Sequence, residues 1–377
     1  MKLVPLSFLL LIVCALLTAT RPERAQTVTL KDVFKSDFLI GAAVNRRQFS
    51  EEDNRALPII KTHFNTISPE NQLKWQLVHP SPDKYDFDAA DRYVAFGEKY
   101  GMVVIGHTLV WHNQTPSWVF EDSKGNPVDR DTLLGRMRDH IHTVVGRYKG
   151  RIKGWDVVNE AVNADGTMRE TKWLKIIGDD YIAKAFQFAH EADPLAELYY
   201  NDFDVEKEAK RNGVLQLIKK LKASGVPIYG VGLQGHNNLT FPSVNQQDAT
   251  ITAFAQLGLK VNITELDLNV LPFVPEDEGP KIVLTPELEP KLNPYTSGVP
   301  VSIAQQQAKR FSDLFAVYLK HRDVIDRITF WGVSDGDSWL NNFPVRGRTN
   351  YPLLFDREGK AKMAFESVVH VGQSTKR

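Results

Sequence analysis

Short apolar runs rich in β-branched residues alternate along this chain with longer stretches whose apolar residues recur every three or four positions. The short runs are Phe38–Val44, Asn65–Glu70, Met102–Trp111, Ile152–Glu160, Ala196–Asp202, Ile228–His236, Lys260–Asp267 and Arg327–Asp335. Each has strand length and bounds. Between them lie amphipathic patterns such as Asp88–Gly101, Asp131–Gly150, Val205–Gly225 and Ser302–His321. Several close on glycine just before the next strand, a common helix stop. Alternating β and α units imply right-handed crossovers and a parallel sheet. Eight such repeats predict an α/β fold of the (β/α)8 TIM-barrel type, in a single domain. A doubly wound open sheet is the competing arrangement, but neither GxGxxG nor a P-loop is present to support it.

A barrel of this kind carries its chemistry where strands end and βα loops begin. Glu70, His107, Trp111, Glu160, Asn201, His236, Glu265 and Trp331 all fall at or just past the ends of different strand candidates. Two of these runs, WDVVNEA (Trp155–Ala161) and VNITELDL (Val261–Leu268), deliver a glutamate near the C-terminal end. Buried strands avoid carboxylates, because an unpaired charge out of water costs several kcal/mol or more. Paired carboxylates at strand ends therefore point to a site that uses them, and glycosidic bond cleavage is the commonest such chemistry. Glu265 and Asp267 are two residues apart and share a strand face. His236 ends the preceding strand candidate, where it can donate to both and hold Glu265 ionised as a nucleophile. Glu160 then serves as proton donor, and as base once glycosylation neutralises Glu265. Asn159 can donate to the sugar 2-hydroxyl.

Taken singly, each of these residues has a blander reading. A lone strand-end glutamate is more often solvated or ion-paired, a lone histidine structural, and Trp75, Trp111, Trp331 and Trp339 would each default to packing. Their joint occurrence at strand ends favours a site. His107 and His112 lie five apart without an HExxH or CxxC partner, so no metal site is expected. No cofactor is expected either.

Composition narrows the partners. The 46 Lys plus Arg balance 46 Asp plus Glu, leaving no basic field for nucleic acid or an anionic membrane. A neutral polymer fits better, and aromatic residues at 10% supply flat faces for sugar rings. Lys2 followed by the mostly apolar Leu3–Leu17 reads as a secretory signal over residues 1–25, cut between Thr18 and Gln26. The run is short for a membrane span. The lone cysteine, Cys14, lies inside it, so the mature chain, residues 26–377, would hold no disulfide, thiol nucleophile or thiolate metal site. A secreted or periplasmic monomer without an integral span is expected.

PENQLKW (Pro69–Trp75), GHTLVWHNQTPSW (Gly106–Trp118), WDVVNEA, YYNDFD, GLQGH, ITELD and TFWGVSD resemble, in order, the sequence blocks of glycoside hydrolase family 10, the retaining endo-β-1,4-xylanases. The likeness spans roughly residues 28 to 370. It implies Glu160 as acid/base and Glu265 as nucleophile, supported by Asp267. Asn159, His107, Gln234 and His236 would surround the sugar bearing the scissile bond. Glu70, Asn71, Lys74, Trp111 and Gln114 would line the glycone side, with Trp331 and Trp339 closing over the rings. Xylan or xylo-oligosaccharides would be the substrate, since bulky indoles near the glycone sugars exclude the hydroxymethyl group of glucose. A β-1,4-glucanase of the same clan and a non-catalytic sugar-binding barrel are the alternatives. The Pro- and acid-rich segment Leu271–Pro300 is longer than ordinary βα loops, either an inert insertion or a rim that shapes the aglycone cleft.

Overall fold

A computed structural model of the chain describes residues 28–272 and 290–375. The secretory-signal candidate and residues 273–289 of the long loop lie outside the described residues. All strand pairings within the sheet are parallel. The strands are β1 (Leu39–Val44), β2 (Thr66–Pro69), β3 (Val103–Trp111), β4 (Gly154–Asn159), β5 (Glu197–Asp202), β6 (Gly230–Leu233), β7 (His236–Asn238), β8 (Lys260–Asn269) and β9 (Arg327–Phe330). Each of β1 to β5 pairs with its successor. β6 pairs with β8, β8 with β9, and β9 with β1, which closes an eight-stranded barrel with helices between the strands. The (β/α)8 expectation holds, and the strand bounds lie within a residue or two of the apolar runs in most repeats.

Two runs end earlier than expected. Ile228–His236 breaks after Leu233, where Gly235 takes φ of +80° and turns the chain. His236 then rejoins as the short β7, outside the barrel proper, in register with Asp267 of β8. The run from Arg327 stops at Phe330, and Gly332, at φ +133°, leads into the loop that carries Trp339. His107 lies in the middle of β3 rather than at its end, beside a register shift against β4.

The helices form because their apolar positions repeat on one face. In Arg130–Arg147 the buried residues are Leu133, Met137, His140, Ile141, Val144 and Val145, a spacing of three and four. Asp129 caps its start by accepting from the Thr132 amide, and Ser243 with Gln246 forms a capping box on Val244–Ala255. Trp75 packs as a core residue, stacked on His140 at 3.6 Å between ring centroids. No helix among the described residues is long and apolar enough to cross a membrane.

β4 shows how packing positions the chemistry. Trp155 is fully buried, and its ring lies directly against Gly106 of β3. Burying an indole removes about 200 Å² from water, ~5 kcal/mol before conformational entropy is counted. The next residues, Asp156 and Asn159, are also buried but polar, and they belong to the site. A methyl at Gly106 would fall inside the Trp155 ring. Gly106→Ala is therefore expected to destabilise the barrel by about 1–3 kcal/mol or more, read as a lowered thermal midpoint. An unchanged midpoint would contradict this packing.

Candidate active site

Glu265 sits on β8 with its side chain 6% exposed, so its carboxylate needs partners. It has two. His236 Nε2 lies 3.2 Å from Oε2, and Asn201 Nδ2 donates to Oε1 at 2.8 Å. Asn201 is itself aimed, since its Oδ1 accepts from Thr264 Oγ1 at 2.6 Å. The other nitrogen of His236, Nδ1, lies 3.0 Å from Asp267 Oδ2, which also accepts from Trp339 Nε1 at 2.8 Å. Burial opposes a charge on the imidazole, but Asp267 and Glu265 outweigh it and push the His236 pKa up to about 10. Burial likewise opposes the charge on Glu265. The His236 hydrogen bond, the neighbouring His107, the His236 charge and Asn201 together hold its carboxyl below the usual glutamate range. An imidazolium thus stands between two carboxylates.

Glu160 follows β4 immediately, in the left-handed region at φ +59°. For a non-glycine residue this conformation costs on the order of 1–3 kcal/mol. Its amide donates to the Asn201 carbonyl on β5 at 2.9 Å. Its carboxyl receives Trp111 Nε1 on Oε2 at 2.9 Å, and Gln234 Nε2 and Asn159 Nδ2 on Oε1 at 2.9 and 3.2 Å. Asn159 Oδ1 accepts from Asn201 Nδ2 at 2.9 Å. Two asparagine amides, Asn159 and Asn201, therefore link the carboxyls of Glu160 and Glu265. Glu265 is thus held by a cation and Glu160 by neutral N–H donors.

The remaining expected residues lie around this pair. His107 Nδ1 pairs with Asp156 Oδ2 at 2.9 Å, both side chains buried, and the His107 ring meets the edge of Trp331 at 5.3 Å. Lys74 donates to Asn71 Oδ1 at 2.9 Å and lies 5.0 Å from the Trp111 ring centre. Burial lowers its pKa against the opposing pull of Glu265, Glu70 and Glu160. Burial raises that of Glu70, with Asp337 adding to the shift and Lys74 opposing it. Gln114 is exposed and stands at the margin, its side-chain amide 3.5 Å from Asn71 Oδ1. Glu70, Trp331 and Trp339 line an open cleft together with Ala43, Asn45, Gln48, Gly332 and Asp337.

Several of these neighbours escaped the sequence reading. Asn201 was visible as a strand-end polar residue, but not as the donor that joins both glutamates. Asp156 stands between Trp155 and Val157 inside the apolar run of β4, and a carboxylate within a buried strand was the available signal. Gln48 and Asp337, joined at 3.0 Å across 289 residues, had none. Among the described residues no group of three His, Cys, Asp or Glu side chains is arranged to hold a metal ion.

Comparison with known proteins agrees with this geometry. The family model described as glycosyl hydrolase family 10 matches residues 29–371. An endo-1,4-β-xylanase A of Xylanibacter ruminicola is 45% identical, over 90% of this chain and 92% of its own length. A β-1,4-xylanase of Dictyoglomus thermophilum is 42% identical, over 90% of each. The structure of a family 10 endoxylanase retrieved from a sugarcane soil metagenome superposes with a TM-score of 0.86 at 46% identity, covering 91% of this chain and 99% of that one. The Paenibacillus barcinonensis xylanase XynB, solved with a conduramine derivative, gives 0.83 at 41% identity over 92% and 99%. With its barrel, its paired glutamates and a family match over nearly the whole described chain, this protein belongs to glycosyl hydrolase family 10.

Proposed function

We propose that the protein is an endo-β-1,4-xylanase that cleaves internal bonds of xylan with retention of configuration, through a covalent glycosyl-enzyme. The observation that carries this reading is the unlike setting of the two glutamates. Glu265, ionised against His236 and Asn201, attacks the anomeric carbon as the C1–O bond breaks. The proton on Glu160 passes to the departing oxygen. Water then attacks the ester, giving its proton to Glu160 and releasing the sugar from Glu265. Glu160 at the end of β4 and Glu265 on β8 supply the proton donor and the nucleophile that a retaining route requires. Asn159, Gln234, His107, Glu70, Asn71, Lys74 and Gln114 supply hydroxyl partners, and Trp111, Trp331 and Trp339 apolar faces. Residues 1–25 would direct secretion, with the catalytic domain following over residues 26–377.

Proton NMR of the first product released from β-1,4-xylan should show the β anomer, with carboxymethylcellulose left nearly untouched. An initial α anomer would overturn the mechanism, and equal rates on both polymers the substrate.

The two glutamates should separate under rescue. Glu265→Ala loses turnover on every substrate. Glu160→Ala still forms the intermediate from an aryl xylobioside with a good leaving group, and azide then accelerates its breakdown to a β-xylobiosyl azide. An α-azide from Glu160→Ala would mean that the roles are exchanged.

His236 also ties stability to pH. Because its folded pKa is raised to about 10, its protonation stabilises the fold fully below its ordinary value near 6.5. That contribution declines as pH rises and is gone above about 10. Asp267→Asn removes most of it, so the gap in thermal midpoint between the native protein and this variant should be widest near pH 6 and narrow steadily towards pH 10. A gap independent of pH would contradict a cationic His236.

A further inference from the structure

The strained backbone of Glu160 is held by Asn201 and by two groups that play no part in the chemistry so far. Its amide donates to Asn201 of β5, which fixes the peptide before it. The peptide after it, joining Glu160 to Ala161, is held at both ends. Arg169 Nε donates to the Glu160 carbonyl at 3.0 Å, and the Ala161 amide donates to the Tyr200 hydroxyl at 3.0 Å. With both flanking peptides tied, both backbone torsions of Glu160 are set, and with them the direction in which its side chain leaves the chain.

The Tyr200 end of this clamp has a built-in direction. A hydroxyl accepts well from an amide only when its own proton points elsewhere. Here that proton goes to Asp202 Oδ2, 2.5 Å away. The other oxygen of Asp202 accepts from the Phe203 amide at 2.9 Å and pairs with Lys210 at 2.8 Å, with both charged side chains essentially unexposed. Lys210 also lies over the Phe203 ring at 3.6 Å. Burial drives the Tyr200 pKa well above the ordinary tyrosine value, so the hydroxyl keeps the proton that the arrangement needs. The order Ala161 N–H to Tyr200, Tyr200 O–H to Asp202, and Lys210 against Asp202 runs one way only.

We propose that Tyr200, oriented by the buried Asp202–Lys210 pair, and Arg169 are positioning residues that clamp the Glu160–Ala161 peptide and thereby aim the acid/base carboxyl at the glycosidic oxygen. This rests on the reading of Glu160 as acid/base. Tyr200 is fully buried, and Arg169 reaches Glu160 through its backbone carbonyl. Loss of the clamp lets the peptide rotate and the carboxyl drift, and proton donation is the step most sensitive to its place. Formation of the intermediate from a substrate whose leaving group needs no proton is far less sensitive.

The test is kcat/KM, which reports formation of the glycosyl-enzyme, for the full chain acting on 2,4-dinitrophenyl, 4-nitrophenyl and phenyl β-xylobiosides. Tyr200→Phe should lose about 10- to 100-fold on the phenyl substrate and less than about 3-fold on the dinitrophenyl one. A uniform loss across the series, or no loss, overturns the proposal. Circular dichroism and a thermal melt establish that the variant folds. Should it not fold, Arg169→Lys decides, since it keeps the charge and removes the Nε–H. The same leaving-group slope supports the clamp, and a flat one overturns it. Glu160→Ala in the same series separates the two claims. A steep slope for Glu160→Ala with a flat one for Tyr200→Phe defeats the clamp alone. A flat slope for Glu160→Ala defeats the acid/base reading, and the clamp with it.

Discussion

Everything at the C-terminal end of this barrel is arranged around one electrostatic demand, the burial of the Glu265 carboxylate. An isolated charge in that position would take up a proton rather than stay ionised. The His236 imidazolium removes the problem only by creating a second one, because a buried cation between two anions must be held in one orientation. Asp267 and Trp339 do that from β8 and from the loop after β9. The break in the chain at Gly235 follows from the same need. An unbroken sixth strand would run on beside β8 from Leu233, whereas the turn lets His236 face Asp267 from outside the barrel wall. The charge arrangement and the local departure from regular barrel geometry are one feature.

The partner glutamate is built by contrast. Glu160 receives three neutral N–H donors and, among the described residues, no ion-pair partner, and its position is secured through its backbone rather than through a counter-ion. A group that must alternate between proton donor and acceptor is poorly served by a fixed charge at its side, but it still has to be aimed. Asn201 serves both halves, giving its carbonyl to the Glu160 amide and its side-chain amide to Glu265. One residue on β5 therefore sets the two carboxyls in relation to each other. The buried Asp202–Lys210 pair beside it fits that arrangement, since such a pair contributes little net stability but enforces a particular geometry.

Much of this was legible in the chain. The eight apolar runs mark the eight barrel strands, because strand burial imposes a local pattern that can be read over five to ten residues. The parity of Glu265 and Asp267 carries the His236 bridge, since a strand has period two. What escaped has no local signature. The turn at Gly235 looks like an ordinary glycine within a continuous apolar run, and only the re-pairing with β8 gives it meaning. His107 reads as a strand-end residue, yet β3 continues past it to Trp111 across a register shift. The link from Gln48 to Asp337 joins distant parts of the chain, and no spacing rule connects them. The left-handed conformation of Glu160 is held by Tyr200 and Asn201 of β5 and by Arg169 of the segment after β4, and runs against the preference of the residue itself.

The central claim is that the two glutamates are chemically unlike and that Glu265 is the one that bonds to sugar. Incubation with an activated 2-deoxy-2-fluoro-β-xylobioside, whose fluorine slows both steps but slows release more, should leave one glycosyl group on the protein. Proteolysis and tandem mass spectrometry then locate it. The account predicts a single adduct, on the peptide containing Glu265. An adduct on Glu160, or inactivation without any adduct, would contradict it.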